Sequence, residues 1–318
     1  VSKSKPSVIF MGTPDFAVPT LQALVDAGYP IKLVVTQPDR PSGRGQKLTP
    51  PPVKALAKQL GIEVFQPESL KASESSRQKI LSTPCDFLIV IAFGQILPVS
   101  VLEHPSIAPL NVHASLLPAY RGAAPIARSI MEGDEQTGIT IQWMIEALDQ
   151  GDVLLQTPCA ITETDTAQSL HDKLKQIGAQ SLIRTLELFE TDQIVRRSQD
   201  ARVGSYASKL SKEESFVSFD QNAFFVHRSI MGLNPWPGAQ CLMGGKPLKI
   251  WRSEFLARPA AADPGTIVEV TDKEIVVSCT EGCIALTEVQ EENRKRMAVS
   301  EFLKGHQVPV GLILGSKR

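Results

Sequence analysis

Short runs of β-branched and other apolar residues alternate with stretches of helical periodicity through the first half of the chain. Residues 8–11, 31–36 and 87–92 read as strands, and 16–27 and 53–60 as helices. Alternation of this kind predicts an α/β unit whose sheet is largely parallel and covered by helices on both faces. A further strand pair is predicted at 139–144 and 153–160, then a long helix from 167 to about 189, with Thr164 or Asp165 placed to cap it. Residues 191–205 are polar, include Arg196 and Arg197, and have no clear period, which reads as a linker. Beyond a predicted helix at 222–232 the pattern changes. Runs at 249–251, 265–270, 274–279 and 283–289, separated by Gly, Pro, Asp and Lys, predict a small, OB-like antiparallel β-barrel.

The expected organisation is therefore a parallel-sheet domain over 1–190, a linker over 191–207 and a barrel domain over 208–318. A chain of 318 residues, 42% hydrophobic and 21% charged, is long enough for two cores and is not disordered by composition. The strand at 8–11 running into a helix suggests a Rossmann-like sheet, yet Gly12 is the sole glycine before Gly28, so the dinucleotide fingerprint is absent and a dehydrogenase is disfavoured. Five cysteines, odd in number and mostly far apart, argue against a disulfide framework and fit a reducing cytoplasm. Cys279 and Cys283 alone make a weak metal-site pattern and read as residues of a strand pair; no metal is called for. No signal-peptide pattern opens the sequence, and the longest apolar stretch, 87–102, is broken by Gly94, Gln95 and Pro98, so no membrane span is expected. A monomer is expected. Net charge of −1 gives no global footprint for nucleic acid, and any RNA contact has to be local.

The candidate chemistry lies at Asn111, His113 and Asp149. If the run ending at 112 is a strand, period-two alternation points Asn111 and His113 to one face while Val112 enters the opposite layer. A carboxamide donor beside an imidazole suits acyl transfer, in which a carbonyl oxygen gains charge while an attacking amine loses a proton. Asp149, in Leu148-Asp149-Gln150-Gly151-Asp152, can set the charge and tautomer of that imidazole. Taken singly, each of the three also has a plain structural reading: a strand-end turn residue, a satisfied histidine, the first residue of a turn. A second feature is the stretch 37–52, which carries Arg40, Arg44 and Lys47 among glycines and five prolines between a strand and a helix that a shorter link would join. Its cations suit phosphate, and its glycines permit close backbone approach. Lysines and arginines after 206 are scattered, and a solvated face is their commoner meaning. Trp236 and Trp251 read as packing residues.

The block Asn111-Val112-His113-Ala114-Ser115-Leu116-Leu117-Pro118, then Tyr120-Arg121-Gly122-Ala123-Ala124-Pro125 and the Asp149 block, resembles the folate-dependent formyltransferases in order and spacing. The similarity extends from Phe10-Met11-Gly12-Thr13-Pro14-Asp15-Phe16 and the 36–45 stretch to Ser208-Lys209-Leu210-Ser211-Lys212 and Asn234-Pro235-Trp236-Pro237, nearly the whole chain. The resemblance implies an enzyme that transfers the formyl group of 10-formyltetrahydrofolate to the α-amino group of methionine on initiator tRNA. It implies catalytic roles for Asn111, His113 and Asp149. It implies folate contacts at Ile91, Ala92, Phe93 and Gly94 and at Ser115, Leu116, Leu117 and Pro118, and tRNA contacts at Arg40, Arg44, Lys47 and Lys209. Ala114 and Gln150 replace the commoner glycine and threonine without removing a reacting group. The same core also fits a hydrolase of formyltetrahydrofolate or a formyltransferase acting on a small amine, and a non-catalytic RNA-binding protein is the alternative from another class.

Overall fold

In the computed structural model, which describes residues 4–42, 47–200 and 202–315, the chain forms two compact units. One comprises Val1–Gly122, Thr137–Cys159 and His171–Tyr206, the other Ala123–Gln136, Ala160–Leu170 and Ala207–Arg318. In chain order the strands are β1 Val8–Gly12, β2 Ile31–Val35, β3 Arg40–Ser42, β4 Lys47–Thr49, β5 Val64–Phe65, β6 Phe87–Ile91, β7 Ala108–His113, β8 Arg121–Gly122, β9 Gln136–Trp143, β10 Val153–Ala160, β11 Tyr206–Ala207, β12 Gln240–Met243, β13 Lys246–Leu256, β14 Ile267–Val270, β15 Ile275–Ser278, β16 Cys283–Glu291 and β17 Met297–Ala298. The helices are α1 Val18–Asp26, α2 Pro52–Gln59, α3 Glu74–Leu81, α4 Val99–Leu102, α5 Pro125–Met131, α6 Ala167–Glu190, α7 Ala223–Gly232 and α8 Val299–Gly305.

The first unit is Rossmann-like, built on a seven-stranded sheet in the order β10-β9-β7-β6-β1-β2-β5. β1 runs parallel to β2 and β6, β6 parallel to β7, and β7 antiparallel to β9. Every residue of β1 and β6 is buried, the signature of strands covered on both faces. On one face Ile9, Met11, Leu33, Val35, Leu88 and Val90 pack with Ile80 of α3 and with Val101 and Leu102 of α4. Helix α6 begins where the sequence pattern places it, but its cap differs from the expected one. Thr166 Oγ1 accepts from the Ser169 amide at 3.1 Å and Ser169 Oγ accepts from the Thr166 amide at 3.0 Å, a reciprocal cap. Asp165 is committed to the Thr162 amide and hydroxyl and to the Ser169 hydroxyl instead. No helix among the described residues is long and apolar enough to cross a membrane.

In the second unit the antiparallel sheet runs β12-β13-β16-β15-β14, with β17 beside β16. β12 and β13 are joined by Gly244 and Gly245, both at positive φ (56° and 78°), the backbone that a two-residue hairpin requires and that glycine adopts without strain. The sheet curls until its two edge strands share one neighbour. Leu242 of β12 and Gly315 exchange amide bonds of 2.7 and 2.8 Å, while Ile267 of β14 donates to the Leu312 carbonyl at 2.8 Å. The core inside is formed by Val226, Ile230, Ile250, Ile267, Ile284, Leu286 and Phe302 among others. Helix α7, capped by the Asn222 side chain, lies against β13.

Two polar residues of α7 are buried, and both hold loops. His227 faces the Ser253 hydroxyl and the Glu163 carbonyl at 3.0 Å each, and burial pushes its imidazole below the ordinary range. Arg228, 3% exposed, donates to the Thr162 carbonyl at 3.2 Å and the Asp134 carbonyl at 2.6 Å. Removing it strips charged donors from both carbonyls. Arg228→Met is expected to lower unfolding free energy by about 2–4 kcal/mol, read as a shift of the urea midpoint; an unchanged midpoint would show that these bonds contribute nothing net.

Candidate active site

The site is built at the carboxyl end of β7. Asn111 pairs with Val90 of parallel β6 on one side and lies opposite Gln142 of antiparallel β9 on the other; His113 lies opposite Thr140. Asn111 and His113 therefore point to one face, and Val112 is buried on the other. Asp149 comes to meet them from the turn between β9 and β10. Its backbone is left-handed at φ 53°, a conformation that costs a non-glycine residue about 1 kcal/mol. Two residues on, a Cβ at Gly151 would lie 1.7 Å from the Trp143 carbonyl oxygen, so no side chain fits there. The turn is thus folded tightly back on the end of β9.

The Asp149 carboxylate is the hub. Its Oδ2 accepts from the Gly122 amide at 2.8 Å, and its Oδ1 accepts from Gln142 Nε2 at 2.9 Å and from Asn111 Nδ2 at 3.5 Å. His113 Nδ1 stands 3.6 Å from Oδ1, with the side chains of His113 and Asp149 7% and 8% exposed. The other imidazole nitrogen, Nε2, lies 2.9 Å from the Tyr120 carbonyl oxygen. A carbonyl only accepts, so Nε2 carries the proton. In the neutral ring Nδ1, the nitrogen beside Asp149, is then the basic one. The Asn111 amide is held only at the long limit of a hydrogen bond, and it keeps donor capacity for another oxygen.

A cavity of about 180 Å³ opens against this cluster. Leu97, Leu102 and Met144 wall it, the 145–149 turn closes one side, and Gln142 and Asp149 contribute its polar end. Gln142 Oε1 is buried and has no hydrogen-bond partner among the described residues. Ile96 and Leu148, 72% and 60% exposed, border the same cavity. A larger groove of about 730 Å³ between α1 and α6 lies elsewhere on this unit and holds none of these groups.

The remaining sequence-predicted residues fall in several places. Ile91 ends β6, Ala92 has φ 46°, and the Phe93 carbonyl accepts from Thr13 Oγ1 at 3.0 Å and Gln37 Nε2 at 3.1 Å. The cavity wall starts just after Gly94, at Gln95. Ser115, Leu116, Leu117 and Pro118 do not line it. The Ser115 hydroxyl donates to the Ala119 carbonyl at 2.6 Å, Thr140 Oγ1 donates to the Ser115 carbonyl and accepts from the Leu117 amide, and Gln156 donates to the Leu117 carbonyl. This loop is fixed to the sheet by its own polar groups. Within 37–52 the described residues form a two-stranded antiparallel ribbon, with Arg40 opposite Thr49 and Ser42 opposite Lys47. Arg40 and Lys47 are exposed on it, and Arg44 lies outside the described residues. The root of the ribbon is pinned by Asp39, whose carboxylate takes Lys54 Nζ at 2.7 Å and Gln66 Nε2 at 2.8 Å; the lysine holds that carboxyl below its usual range. Lys209, in the second unit, is exposed. Also in that unit, Lys249 and Arg296 flank the Trp251 ring at 5.8 and 4.8 Å.

Sequence reasoning missed Gln142 and the backbone groups of Tyr120 and Gly122. For Gln142 a signal existed: it is two residues beyond Thr140 in a strand, on the residue face that meets Asn111 across the ladder. Residues 5–186 match the family described as formyl transferase, and residues 209–307 match the formyl transferase C-terminal domain. The methionyl-tRNA formyltransferase of Pelotomaculum thermopropionicum is 46% identical over 97% of this chain and 98% of its own, and that of Bacillus subtilis 43% identical over 97% of each. Among solved structures, an N-formyltransferase from Helicobacter canadensis in complex with folinic acid and dTDP-3-aminofucose superposes with a TM-score of 0.70 at 17% identity, covering 90% of this chain and 100% of that one. HypX from Aquifex aeolicus in complex with tetrahydrofolic acid gives 0.62 at 17%, covering 97% of this chain and 51% of that one. With both domain families matched in order and close relatives along its length, the chain belongs to the formyl transferase family, in its methionyl-tRNA formyltransferase group.

Proposed function

We propose that the chain transfers the formyl group of 10-formyltetrahydrofolate to the α-amino group of methionine carried on initiator tRNA, with Asn111, His113 and Asp149 as its catalytic residues. One observation carries the assignment: the half-buried Asn111 amide, the buried His113 imidazole and the Asp149 carboxylate converge, and Asp149 also lines a small, largely apolar cavity. The cavity suits a flat heterocycle. Leu97, Leu102 and Met144 offer its faces apolar contact. Contacts of the folate with Ile91, Ala92, Phe93 and Gly94 are supported by the continuity of that turn with the cavity wall. Those with Ser115, Leu116, Leu117 and Pro118 rest on family resemblance.

In the reaction the amine nitrogen bonds to the formyl carbon, the bond from that carbon to N10 breaks, and the proton lost by the amine ends on N10. Asn111 donates to the carbonyl oxygen as it gains charge. His113 acts through Nδ1, the nitrogen that Tyr120 leaves basic, by taking up the amine proton or holding one beside the developing charge. Asp149 orients the ring and balances the cation formed on it. The exposed Arg40 and Lys47 of the ribbon, together with Arg44 and Lys209, meet tRNA phosphates.

The direct test is incubation with 10-formyltetrahydrofolate and methionine-charged initiator or elongator tRNA, scoring formylmethionine and free formate together. Formylation of the initiator is expected; formate alone would point to a hydrolase. In that assay Asn111→Ala should lower kcat by about 10²–10³ and His113→Ala by about 10²–10⁴, with folate affinity nearly unchanged, and wild-type turnover in both would overturn the assignment. Arg44→Ala should raise KM for tRNA and reduce its salt dependence by about one phosphate contact; an unaltered salt slope would remove Arg44 from the interface.

A further inference from the structure

The polar stretch that follows α6 does not behave as a bare connection. Arg197 exchanges two backbone hydrogen bonds with Val153, at 2.8 and 3.0 Å, which lays the stretch beside the start of β10. From there Gln199, half-buried in a mostly exposed run, reaches the Asp149 turn. Its amide nitrogen donates to the Asp149 carbonyl at 2.9 Å and to the Gly151 carbonyl at 2.7 Å. Its amide oxygen accepts from Arg121 Nε at 3.2 Å and Nη2 at 2.8 Å. Both amide hydrogens are used, and the oxygen receives a charged fork.

Arg121 immediately precedes Gly122, whose amide donates to Asp149 Oδ2. The four groups close a ring: Arg121 side chain to Gln199, Gln199 to the Asp149 backbone, Asp149 carboxylate to the Gly122 amide. The same stretch secures the arm that carries the His113 partner. Ser205 Oγ accepts from the Tyr120 amide and the Ser205 carbonyl from the Arg121 amide, each at 2.9 Å. At Gly204 a Cβ would lie 2.4 Å from the Pro118 carbonyl oxygen, so the two backbones touch.

We propose that Gln199 is a positioning residue for the formyl transfer, holding the left-handed Asp149 turn so that the carboxylate stays 3.6 Å from His113 Nδ1. This rests on the catalytic reading of Asp149 given above. The turn has a reason to need an external hold, since Asp149 occupies a backbone region uncommon for a non-glycine residue and Gly151 is pressed against the Trp143 carbonyl. Gln199 touches no reacting atom. Its effect on turnover passes through the placement of one carboxylate, for which an error of about 1 Å costs up to about 10²-fold.

Two substitutions and one double variant test it. Gln199→Glu keeps the shape and the Arg121 contact but turns two donors into acceptors facing two carbonyls; Gln199→Met removes the polar contacts altogether. Each is expected to lower kcat about 10- to 100-fold, with KM for folate and for tRNA within about 3-fold of wild type and a melting temperature close to wild type. Combined with Asp149→Asn, Gln199→Met should cost no more than about a further 2-fold, because its contribution runs through the carboxylate already lost. Wild-type kcat in both single variants, or losses that multiply in the double variant, would overturn the proposal while leaving the catalytic trio intact. Wild-type kcat in Asp149→Asn alone would overturn both.

Discussion

A carboxylate shut away from water has to be met by donors, and the way Asp149 is met organises this site. The Gly122 amide and the Gln142 side chain satisfy it at 2.8 and 2.9 Å, Asn111 approaches at 3.5 Å, and His113 Nδ1 stands 3.6 Å away. Isolated, such a charge would cost several kcal/mol on burial. The imidazole is constrained from its far side as well, by a Tyr120 carbonyl that can only accept. Between an acceptor on each side, the ring has one neutral tautomer that satisfies its short hydrogen bond, and that tautomer leaves the basic nitrogen toward the carboxylate.

The fold explains why these groups arrive together. A sheet buried on both faces can present polar chemistry only at its strand ends, and β7 is the strand where the sheet changes from parallel to antiparallel neighbours. Its residue Asn111 is therefore flanked by the end of β6, which leads into the cavity wall, and by Gln142 of β9, which forms the cavity's polar end. The turn from β9 to β10 then needs little length to bring Asp149 back over the ladder. The second unit solves a different problem. It curls its antiparallel sheet until the 311–315 segment bonds to both edges, and it uses the buried Arg228 and His227 to tie loops contributed by the earlier part of the chain to α7.

How much of this the sequence discloses depends on how local the physics is. β1, β6 and α6 are plain in the residue pattern because each buries many side chains at its own period. Helix α3 is not, because Ile80 is its one buried residue, and its start is marked only by the Ser73 cap. β12 is hidden for the same reason: Cys241 is its one buried residue, although the Gly244-Gly245 turn beside it was a usable hint. The 311–315 segment has no pattern of its own and is defined by the two edges it joins. Asn111, His113 and Asp149 could be singled out because they are reactive residue types, with a resemblance to fix their order. Gln199 could not, since a glutamine in a polar stretch fifty residues from the turn it holds carries no local signal. The left-handed φ of Asp149 is equally hard to read beforehand, because the region is uncommon for any non-glycine residue even though aspartate enters it more readily than most.

The role of His113 rests on its tautomer, and long-range proton–nitrogen NMR of the imidazole measures that tautomer directly. With the ring neutral, the Nε2 resonance should be that of a protonated nitrogen and the Nδ1 resonance that of an unprotonated one. A neutral ring protonated at Nδ1 instead would place the basic nitrogen against the Tyr120 carbonyl, and the proposed part of His113 in moving the amine proton would fall with it.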